Sequence, residues 1–580
     1  MPQCNTTTVL AITILKLKVQ SMNVRHSLFR ILTAALILIP IITRTSFGAV
    51  IPEHKNIAWQ GPATCLQCHQ TQAQQVFHSV HYQWLGETPY MTKGPLSQGK
   101  LDVGVNSYCI NTTGNWAGCG ACHVGLGARP EPQLRQAQLE NIDCLICHQD
   151  NYKRKKVNGV FVPDTGLMTI SIDQAAQTVH RPTRQTCLQC HAKGGGGDNY
   201  KRGDMALAHG VTADKNFDVH MATTGANLAC QACHTTEQHR IAGRGSDLRM
   251  TDLDREMTCT KRHTTKASAN GHLTSDINRY VARVACQTCH IPTYARNAAD
   301  TAATEMTETH RDWRVPHVTA SGAKHPNPTM AGNLTPRYGW WNGTSSSYLL
   351  FDEATIDPGT GRIPTSRPVG EINGVATKLY PFKYKTATQP LATAPNQLIA
   401  LDTSVYFSTG NSLGAIQAGL ANMGYQSNEP YSWVGTDTMQ LLTHEVAPAS
   451  AGLASTACHN NTNKMDLTGE LGHLLKGLRS NVCTQCHGMD SFEGTNEYLA
   501  VHDKHVRSRK YDCSWCHDFS RPERGLTLAP IMIKLADVIT TMKILTGQAP
   551  TSISTIQAKS NDDRIGLAET IGALRDAVGV

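Results

Sequence analysis

Aromatic residues make up only 6% of this 580-residue chain, and hydrophobic residues of all kinds make up 40%. So little apolar side-chain surface gives a thin core for a chain of this length. Charged residues are also few, at 17%, and the one dense basic run is Lys153–Lys156. The apolar stretch Ile31–Ile42 is too short and too interrupted to predict a membrane span. Cysteine, in contrast, is abundant, with 20 residues.

One five-residue pattern, Cys-x-x-Cys-His, occurs eight times and contains sixteen of the twenty cysteines. It is the attachment signature of c-type haem, in which two thiols form thioethers with the vinyl groups and the imidazole binds iron. We number these motifs one to eight in chain order. Their cysteines are Cys65 and Cys68, Cys119 and Cys122, Cys144 and Cys147, Cys187 and Cys190, Cys230 and Cys233, Cys286 and Cys289, Cys483 and Cys486, and Cys513 and Cys516. Their proximal histidines are His69, His123, His148, His191, His234, His290, His487 and His517.

Zinc and disulfides are the two other interpretations of closely spaced cysteines. Zinc sites also use Cys-x-x-Cys pairs, but they do not require a histidine directly after the second cysteine, and every intact pair here has one. Disulfides between such close cysteines would constrain the chain little. The pattern therefore predicts haem c as the cofactor, with eight groups, or up to ten if two damaged motifs are also occupied. Haem would then supply much of the missing buried apolar surface.

The two damaged motifs have each lost one cysteine. At the Cys259 site the second cysteine is replaced by Arg262, and at the Cys458 site the first is replaced by Ser455. Each site keeps its histidine. Either a haem is held there by one thioether and the histidine, or the site has been abandoned. The sequence leaves both alternatives open.

Residues 22–48 are typical of a secretory signal, with Arg25 and Arg30 before the apolar stretch and small residues before Ala49. We expect Met22 to be the true start and the mature protein to be periplasmic, with association at the outer surface as an alternative. The formal net charge of the whole chain is +8, and positions 1–48 contain five basic residues and no acidic ones, so the remaining chain has a net charge of +3. Haem propionates would make the holoprotein anionic. Nucleic acid is therefore not an expected partner, and no integral membrane segment is expected after cleavage.

Histidine is plentiful enough to give every iron a second imidazole. Of 26 histidines, seventeen remain after the eight proximal ligands and His26 are set aside. The candidates for the second ligand are His54, His78, His81, His180, His209, His220, His239, His272, His444, His473, His502 and His505. From these we select His81, His180, His209, His220, His239 and His444 as expected iron ligands. Each could instead be an ordinary hydrogen-bonded histidine, and the sequence does not assign any of them to a particular haem.

The segments between motifs are rich in glycine, asparagine, aspartate and threonine, which predicts irregular loops that join short helices beginning at the motifs. We therefore expect a mainly α fold with extensive loops, wrapped around a closely packed haem array. A longer helix is expected over Gln70–Leu85. The expected divisions are a signal peptide at 1–48, a multihaem core at 49–290, an aromatic-containing lobe with a damaged site at 291–475, and an extension with two motifs and amphipathic helices at 476–580.

Several stretches together resemble the octahaem tetrathionate reductase family, over about residues 60–475. The chain departs from that family at the Cys259 and Cys458 sites, where the family has intact motifs. It departs also at motifs seven and eight, which lie beyond the family's usual end. The stretches that carry the resemblance are Cys65–Gly86, Asn141–His148, Cys187–Asp204 with its run of four consecutive glycines, Asp218–Met221, Cys289–Arg296, Tyr380–Lys383 and His444–Pro448.

This resemblance implies a catalytic haem at motif two, whose iron carries a lysine in place of a second histidine. Lys153 is the residue of this chain that matches the lysine. The family also lines its substrate pocket with a cysteine outside the motifs and with polar groups. Cys109, Asn106 and Asp150 are the matching residues here. Lys153 could instead be one solvated member of a basic run, and Cys109 a small buried hydrophobe.

Two functional hypotheses follow. The first is a multihaem reductase that passes electrons along its haems to the lysine-ligated site and reduces a small sulfur or nitrogen compound such as tetrathionate, nitrite or hydroxylamine. Its electron donor would be a partner cytochrome or a quinol-linked protein, and the basic run would attract the small inorganic anion. The second is a non-catalytic electron conduit in which two histidines hold every iron.

Overall fold

The computed structural model divides the chain into two units, Met1–Ala49 and Val50–Val580. The first unit, with the expected signal peptide, lies outside the described residues. The structure describes residues 51–105, 111–245, 251–264, 272, 275–302, 305–319, 322–374, 376–454, 456–459, 464–484, 501–509, 511 and 513–519, with short pieces at 538–539, 542–543, 545–546 and 571. Most of the expected C-terminal amphipathic helices therefore falls outside the described residues.

Helices are short through most of the motif-bearing part. The α-helices are α1 Ala63–Phe77, α2 Val80–Gln83, α3 Trp116–Cys119, α4 Gln136–Glu140, α5 Leu145–His148, α6 Ile172–Gln177, α7 Arg184–His191, α8 Ser275–Tyr280, α9 Cys286–His290, α10 Thr403–Thr409, α11 Ser412–Asn422, α12 Thr456–His459 and α13 Arg479–Thr484. Single 3₁₀ turns lie at Pro52–His54, Thr112–Gly114, Leu207–Gly210, Cys230–Ala232, Cys259–Lys261, Ala449–Ala451 and Cys513–Trp515, and a π-helical turn lies at Asp503–Ser508.

Three two-stranded ribbons and one large sheet accompany these helices among the described residues. The ribbons pair β1 with β2, β3 with β4, and β5 with β6. Their strands are β1 Leu85–Glu87, β2 Ser97–Gly99, β3 Arg154–Val157, β4 Val160–Pro163, β5 Thr236–Glu237 and β6 Arg240–Ile241. The strands of the large sheet are β7 Thr307–Val318, β8 Lys324–Ala331, β9 Arg337–Trp341, β10 Thr344–Ser347, β11 Ile363–Val369, β12 Lys378–Ala392, β13 Gln397–Leu398 and β14 Tyr431–Leu441.

The large sheet is mixed and has eight strands. Its main order is β10-β11-β14-β12-β7-β8, and β9 and β13 also pair with β12. The central strands β12 and β14 are antiparallel from Phe382 opposite Leu441 to Ala392 opposite Tyr431. The β11–β14 and β12–β7 pairs are parallel. Strand β12 therefore connects both halves of the sheet.

The main hydrophobic core lies where α10 and α11 pack on this sheet. Trp313 of β7 and Tyr406 of α10 are both fully buried and meet edge to face, with ring centres 5.1 Å apart. Helix α11 adds the buried side chains of Ile416 and Leu420. Burial of such large apolar side chains contributes about 1.5–3 kcal/mol each, so this contact anchors the helices to the sheet.

The expectation of a mainly α protein is wrong, because the largest single element is the eight-stranded sheet. The pattern of β12 shows why the sequence conceals it. Burial along this strand follows the alternation of a sheet, but Lys383, Lys385 and Gln389 are among the buried positions. Period-two patterns signal a strand when apolar residues alternate with polar ones, and here polar residues occupy the inward positions. The expected short helices and loops are found around the motifs.

The longer helix expected over Gln70–Leu85 is also interrupted. Helix α1 leaves helical geometry at His69, with φ −112° and ψ 34°, and ends at Phe77. Ser79 is then extended, and the four-residue helix α2 follows. The break turns the chain so that His78 and His81 face different neighbours. Among the described residues, no helix combines the length and apolar character needed to cross a membrane.

Candidate functional site

The seven intact motifs that the structure describes in full share one local geometry, a single helical turn between the first cysteine and the histidine. The His148 N–H donates to the Cys144 carbonyl at 3.1 Å, and the His234 N–H donates to the Cys230 carbonyl at 2.9 Å. A turn of this kind brings the imidazole to the same side as the thiol four residues earlier. The backbone therefore presents the attachment and ligand groups of one haem together.

Proximal imidazoles are also oriented for metal binding. Nδ1 of His148 lies 2.8 Å from the His180 carbonyl, and Nδ1 of His234 lies 2.9 Å from the Ala242 carbonyl. A carbonyl can only accept, so Nδ1 carries the proton and the Nε2 lone pair remains available. Metal-binding histidines are commonly held in this way. The donor set at these motifs therefore fits haem iron.

Six of the proximal imidazoles face a second imidazole at a nearly constant distance. The coordinating nitrogen of an imidazole lies about 2 Å from the metal, and the ring centre lies about 1 Å further away. Two axial imidazoles on one iron therefore have ring centres about 6 Å apart. The observed ring-centre separations are 5.9 Å for His69 and His54, 6.1 Å for His191 and His81, 6.4 Å for His148 and His239, 6.2 Å for His234 and His444, 6.1 Å for His290 and His272, and 6.2 Å for His517 and His502.

Four of the six histidines selected from the sequence lie in such pairs. His81, His239 and His444 face proximal histidines of intact motifs. His220 instead faces His263 of the Cys259 site, with ring centres 5.9 Å apart. The long separations in sequence between these partners explain why the pairing could not be assigned before the fold was known.

The two other selected histidines are placed differently. His180 lies beside Asp150, whose N–H donates to its Nε2 at 3.3 Å, and its carbonyl is the acceptor for His148. His209 is fully buried against Phe217, with ring centres 4.5 Å apart, and its Nε2 lies 3.6 Å from the Asp218 carboxylate. Among the described residues, neither ring is stacked at ligand distance on a proximal histidine.

Three histidines that we did not select face proximal imidazoles. His54, His272 and His502 each precede their partner by only 15 to 18 residues. This short spacing before a motif is a signal that the sequence contains and that we did not use. His502 shares its partner with His473, whose ring centre is 4.1 Å from that of His517.

The histidine of motif two has a different environment. His123 is fully buried among aromatic rings, with ring centres 5.1 Å from Tyr82, 5.6 Å from Trp84 and 5.1 Å from Trp116. The Gly125 N–H donates to its Nδ1 at 3.0 Å, and its Nε2 lies 2.6 Å from the Tyr82 carbonyl. The proton is therefore on Nε2, the reverse of its position in His148 and His234. This imidazole must turn away from the carbonyl before it can bind a metal through Nε2.

The segment that contains Lys153 runs along motif two. Arg154 donates to the carbonyls of Gly125 at 3.0 Å and His123 at 2.8 Å, and it forms a buried ion pair with Asp143 at 3.1 Å. The neighbouring Lys153 side chain is exposed, and its Nζ donates to the Asp150 carbonyl at 2.9 Å. Partial desolvation of the amine by the protein atoms around it lowers the pKa of Lys153 from its ordinary value.

The remaining pocket residues are only partly described. The Asp150 carboxylate accepts a hydrogen bond of 2.5 Å from the Thr183 hydroxyl, just before helix α7 and motif four. Asn106 and Cys109 lie outside the described residues. At motif seven, Cys483 lies in α13, whereas Cys486 and His487 fall outside the described part of the chain.

Thiols of different motifs contact one another and order the motifs in space. The thiol pairs in hydrogen-bonding contact are Cys65 with Cys144, Cys122 with Cys190, Cys187 with Cys230, and Cys259 with Cys286. Other thiols are near enough for the charge of a neighbouring thiolate to raise their pKa: Cys147 would act in this way on Cys187 and Cys190, Cys233 on Cys259, and Cys458 on Cys289. The motifs thus follow the spatial series one, three, four, five, Cys259 site, six and Cys458 site, with motif two beside motif four.

Comparisons with known proteins agree with these features. Residues 304–462 match the family model described as bacterial cytochrome c, and residues 64–149 match the model described as cytochrome c554 and c-prime. The structure is similar to the crystal structure of octaheme cytochrome c from Shewanella oneidensis, with a TM-score of 0.59 and 27% identity, covering 71% of this chain and 92% of that one. The chain is a multihaem c-type cytochrome.

A relative extends this assignment. An uncharacterized protein of Archaeoglobus fulgidus is 33% identical over 248 residues, which cover 34% of this cytochrome and 80% of the archaeal protein. The cytochrome belongs to the same family as that protein. Its cofactor is haem c, and its role is redox chemistry, which implies a partner that donates or accepts electrons.

Proposed function

We propose that this cytochrome is an exported, periplasmic reductase that passes electrons along eight or more haems to a catalytic site at motif two. The observation that supports this best is the environment of His123. Among the proximal histidines that the structure describes, it is the one surrounded by Tyr82, Trp84 and Trp116 instead of a second imidazole. A ligand position without a fixed histidine is what a substrate-binding haem needs. Likeness to the octahaem tetrathionate reductases supports the same choice.

In this proposal, His123 and Lys153 would hold the haem of motif two, and its iron would supply electrons one at a time. Arg154 supports this assignment, because it ties the backbone next to Lys153 to the carbonyls of motif two and would keep the lysine near that haem. The exposed Lys153 amine donates to the Asp150 carbonyl, and it would have to break only this weak hydrogen bond to reach the iron. Asp150, Cys109 and Asn106 would orient the substrate by hydrogen bonds.

The substrate class in this proposal is a small sulfur or nitrogen compound, such as tetrathionate, nitrite or hydroxylamine. The basic run Lys153–Lys156 lies on and before β3, and Lys155 and Lys156 on that strand are exposed. Cations on the surface raise the local concentration of an anionic substrate.

Electrons would reach motif two from motif four, since the Cys122 and Cys190 thiols are in contact. We further propose that residues 49–290 form the haem-bearing core, that residues 291–475 form a supporting lobe and that residues 476–580 form an extension.

Replacing Lys153 by methionine tests this function. Lys153→Met should abolish the reduction of tetrathionate, nitrite and hydroxylamine by chemically reduced protein, while the haem content measured by absorption stays the same. The matched control is Lys215→Met, which removes one exposed lysine away from the motifs and should leave all three rates unchanged. Equal rates in Lys153→Met and the wild type would contradict the proposal.

The alternative is a non-catalytic conduit, and the six imidazole pairs favour it at every motif except the second and the undescribed seventh. Two strong axial ligands make iron low-spin and leave no position for substrate. Electron paramagnetic resonance of the oxidised protein distinguishes the two functions. A purely low-spin spectrum that nitrite and hydroxylamine do not change would establish the conduit, whereas a signal that shifts with either compound supports the reductase.

A further inference from the structure

The Cys259 site keeps the ligand arrangement of an intact motif. His263 and His220 have ring centres 5.9 Å apart, within the range of 5.9 to 6.4 Å found for the six pairs at intact motifs. His220 lies in a fixed turn, because its N–H donates to the Asp218 carboxylate at 2.8 Å and its carbonyl accepts from the Leu228 N–H at 2.8 Å. An abandoned site would not be expected to retain two imidazoles at the distance found for axial ligands.

The backbone of the site also matches that of a neighbouring intact motif. Cys259–Lys261 forms a 3₁₀ turn, as Cys230–Ala232 does in motif five. In both turns the histidine N–H donates to the carbonyl of the first cysteine at 2.9 Å, and the preceding residue donates to it at 3.1 Å. The backbone therefore presents the Cys259 thiol and the His263 imidazole in the same arrangement as their counterparts in motif five.

Arg262, which replaces the second cysteine, does not occupy the space between the two imidazoles. Its side chain is exposed, and its guanidinium donates to the Ala232 carbonyl of motif five at 2.8 Å. The charge is thus carried to the surface, where it keeps its hydration and gains a hydrogen bond. The substitution removes one thiol and leaves the other contacts of the site in place.

We propose that Cys259 holds a haem through a single thioether, with His263 and His220 as its two axial ligands. The thiol adds across one vinyl group, so that sulfur bonds to the carbon next to the porphyrin and the hydrogen goes to the outer carbon. This addition is redox-neutral and needs no oxidant or reductant. The second vinyl group stays unsaturated, because position 262 has no thiol.

The position of this haem gives it a role in the series of motifs. The Cys259 thiol contacts Cys286 of motif six and interacts electrostatically with Cys233 of motif five. A haem here would link the first five motifs to motif six and the Cys458 site. Without it, the series would be interrupted at this point.

Peptide mass spectrometry of the purified full chain tests the proposal directly. Trypsin cleaves after Arg255 and Lys261 and releases the peptide Glu256–Lys261, which contains Cys259. This peptide should carry the mass of one haem, and it should still do so in the control Thr260→Ala. A free thiol on the wild-type peptide would overturn the proposal. Cys259→Ala should reduce the covalent haem content by one per chain.

Arg262→Cys provides a second test that does not depend on the stability of Cys259→Ala. It restores the second thiol, so the haem number should stay the same while the pyridine haemochrome band loses its long-wavelength shoulder from the remaining vinyl group. A gain of one haem per chain would show that the wild-type site is empty. His220→Ala should convert one low-spin ferric signal to high-spin, whereas the exposed control His317→Ala should not, and identical spectra would exclude His220 as the ligand.

Discussion

Glu308 lies at the centre of a buried charge cluster that joins the sheet to the chain after motif four. Its carboxylate receives two bonds of 2.7 Å from Arg311 and one of 2.6 Å from Lys385, and all three side chains are almost fully buried. Arg311 also donates to the Gly195 carbonyl at 2.5 Å, and Lys383 donates to the Tyr200 carbonyl at 2.9 Å. Loss of the cluster should therefore loosen both the sheet and the glycine-rich segment beside the haems.

Glu308→Gln removes the negative charge and keeps the shape of the side chain. Arg311 and Lys385 would then lose the carboxylate charge to which both now donate, and breaking a buried pair in this way costs about 3–5 kcal/mol. A matched control is Asp312→Asn on the same strand. Its partner Arg314 is 53% exposed, so solvent screens this surface pair and it should contribute little to stability. We expect the two variants to differ by at least about 2 kcal/mol in the free energy of unfolding.

Guanidinium chloride unfolding, followed by far-ultraviolet circular dichroism, measures this difference from the shift in midpoint. The double variant Glu308→Gln with Lys385→Met should recover part of the loss, because it removes one of the two cations that lose the Glu308 carboxylate. If Glu308→Gln costs no more than Asp312→Asn, the cluster does not stabilise the sheet in the way described here.

The same cluster predicts how stability depends on pH. Burial lowers the pKa of Lys383 to about 7, from 10.5 in the unfolded chain. Between these values the unfolded chain binds more protons, so the free energy of unfolding should rise with pH, by up to about 1.4 kcal/mol per pH unit for one lysine. Lys383→Met should reduce this slope between pH 7 and 10, and an unchanged slope would contradict the assignment.

Two further predictions concern a ligand and a glycine. His81→Ala should convert one low-spin haem to high-spin, because the ring centres of His81 and His191 are 6.1 Å apart. The control His78→Ala removes a ring away from that pair and should leave the electron paramagnetic resonance spectrum unchanged. Gly196→Ala should lower the unfolding midpoint more than Gly159→Ala, although both glycines have positive φ. A Cβ at Gly196 would overlap a histidine ring, whereas a Cβ at Gly159 would meet nothing within 4 Å. Equal shifts in midpoint would refute this prediction.

The cofactor class could be predicted from sequence because haem attachment is local. Cys65, Cys68 and His69 lie within one helical turn and serve the same haem, so their spacing alone identifies haem attachment. The second ligands could not be predicted in the same way. His81 and His191 are 110 positions apart and meet only because α1 breaks after Phe77 and α2 turns toward motif four.

The sheet was not predicted because its strands carry polar side chains inward. Lys383 and Lys385 are fully buried on β12, where an alternation of apolar and polar residues would normally identify the solvent face. Their charges are accommodated by Glu308 on β7 and by backbone carbonyls, and these partners are distant in sequence. Such a pattern can be interpreted only when the strand pairing is known.

The central claim is that haem groups are covalently attached at the repeated motifs. The most direct measurement is the intact mass of the purified, exported protein under denaturing conditions. We expect the mass of the mature polypeptide plus at least eight haems. The mass of the bare polypeptide, or of the polypeptide with zinc alone, would contradict the whole account.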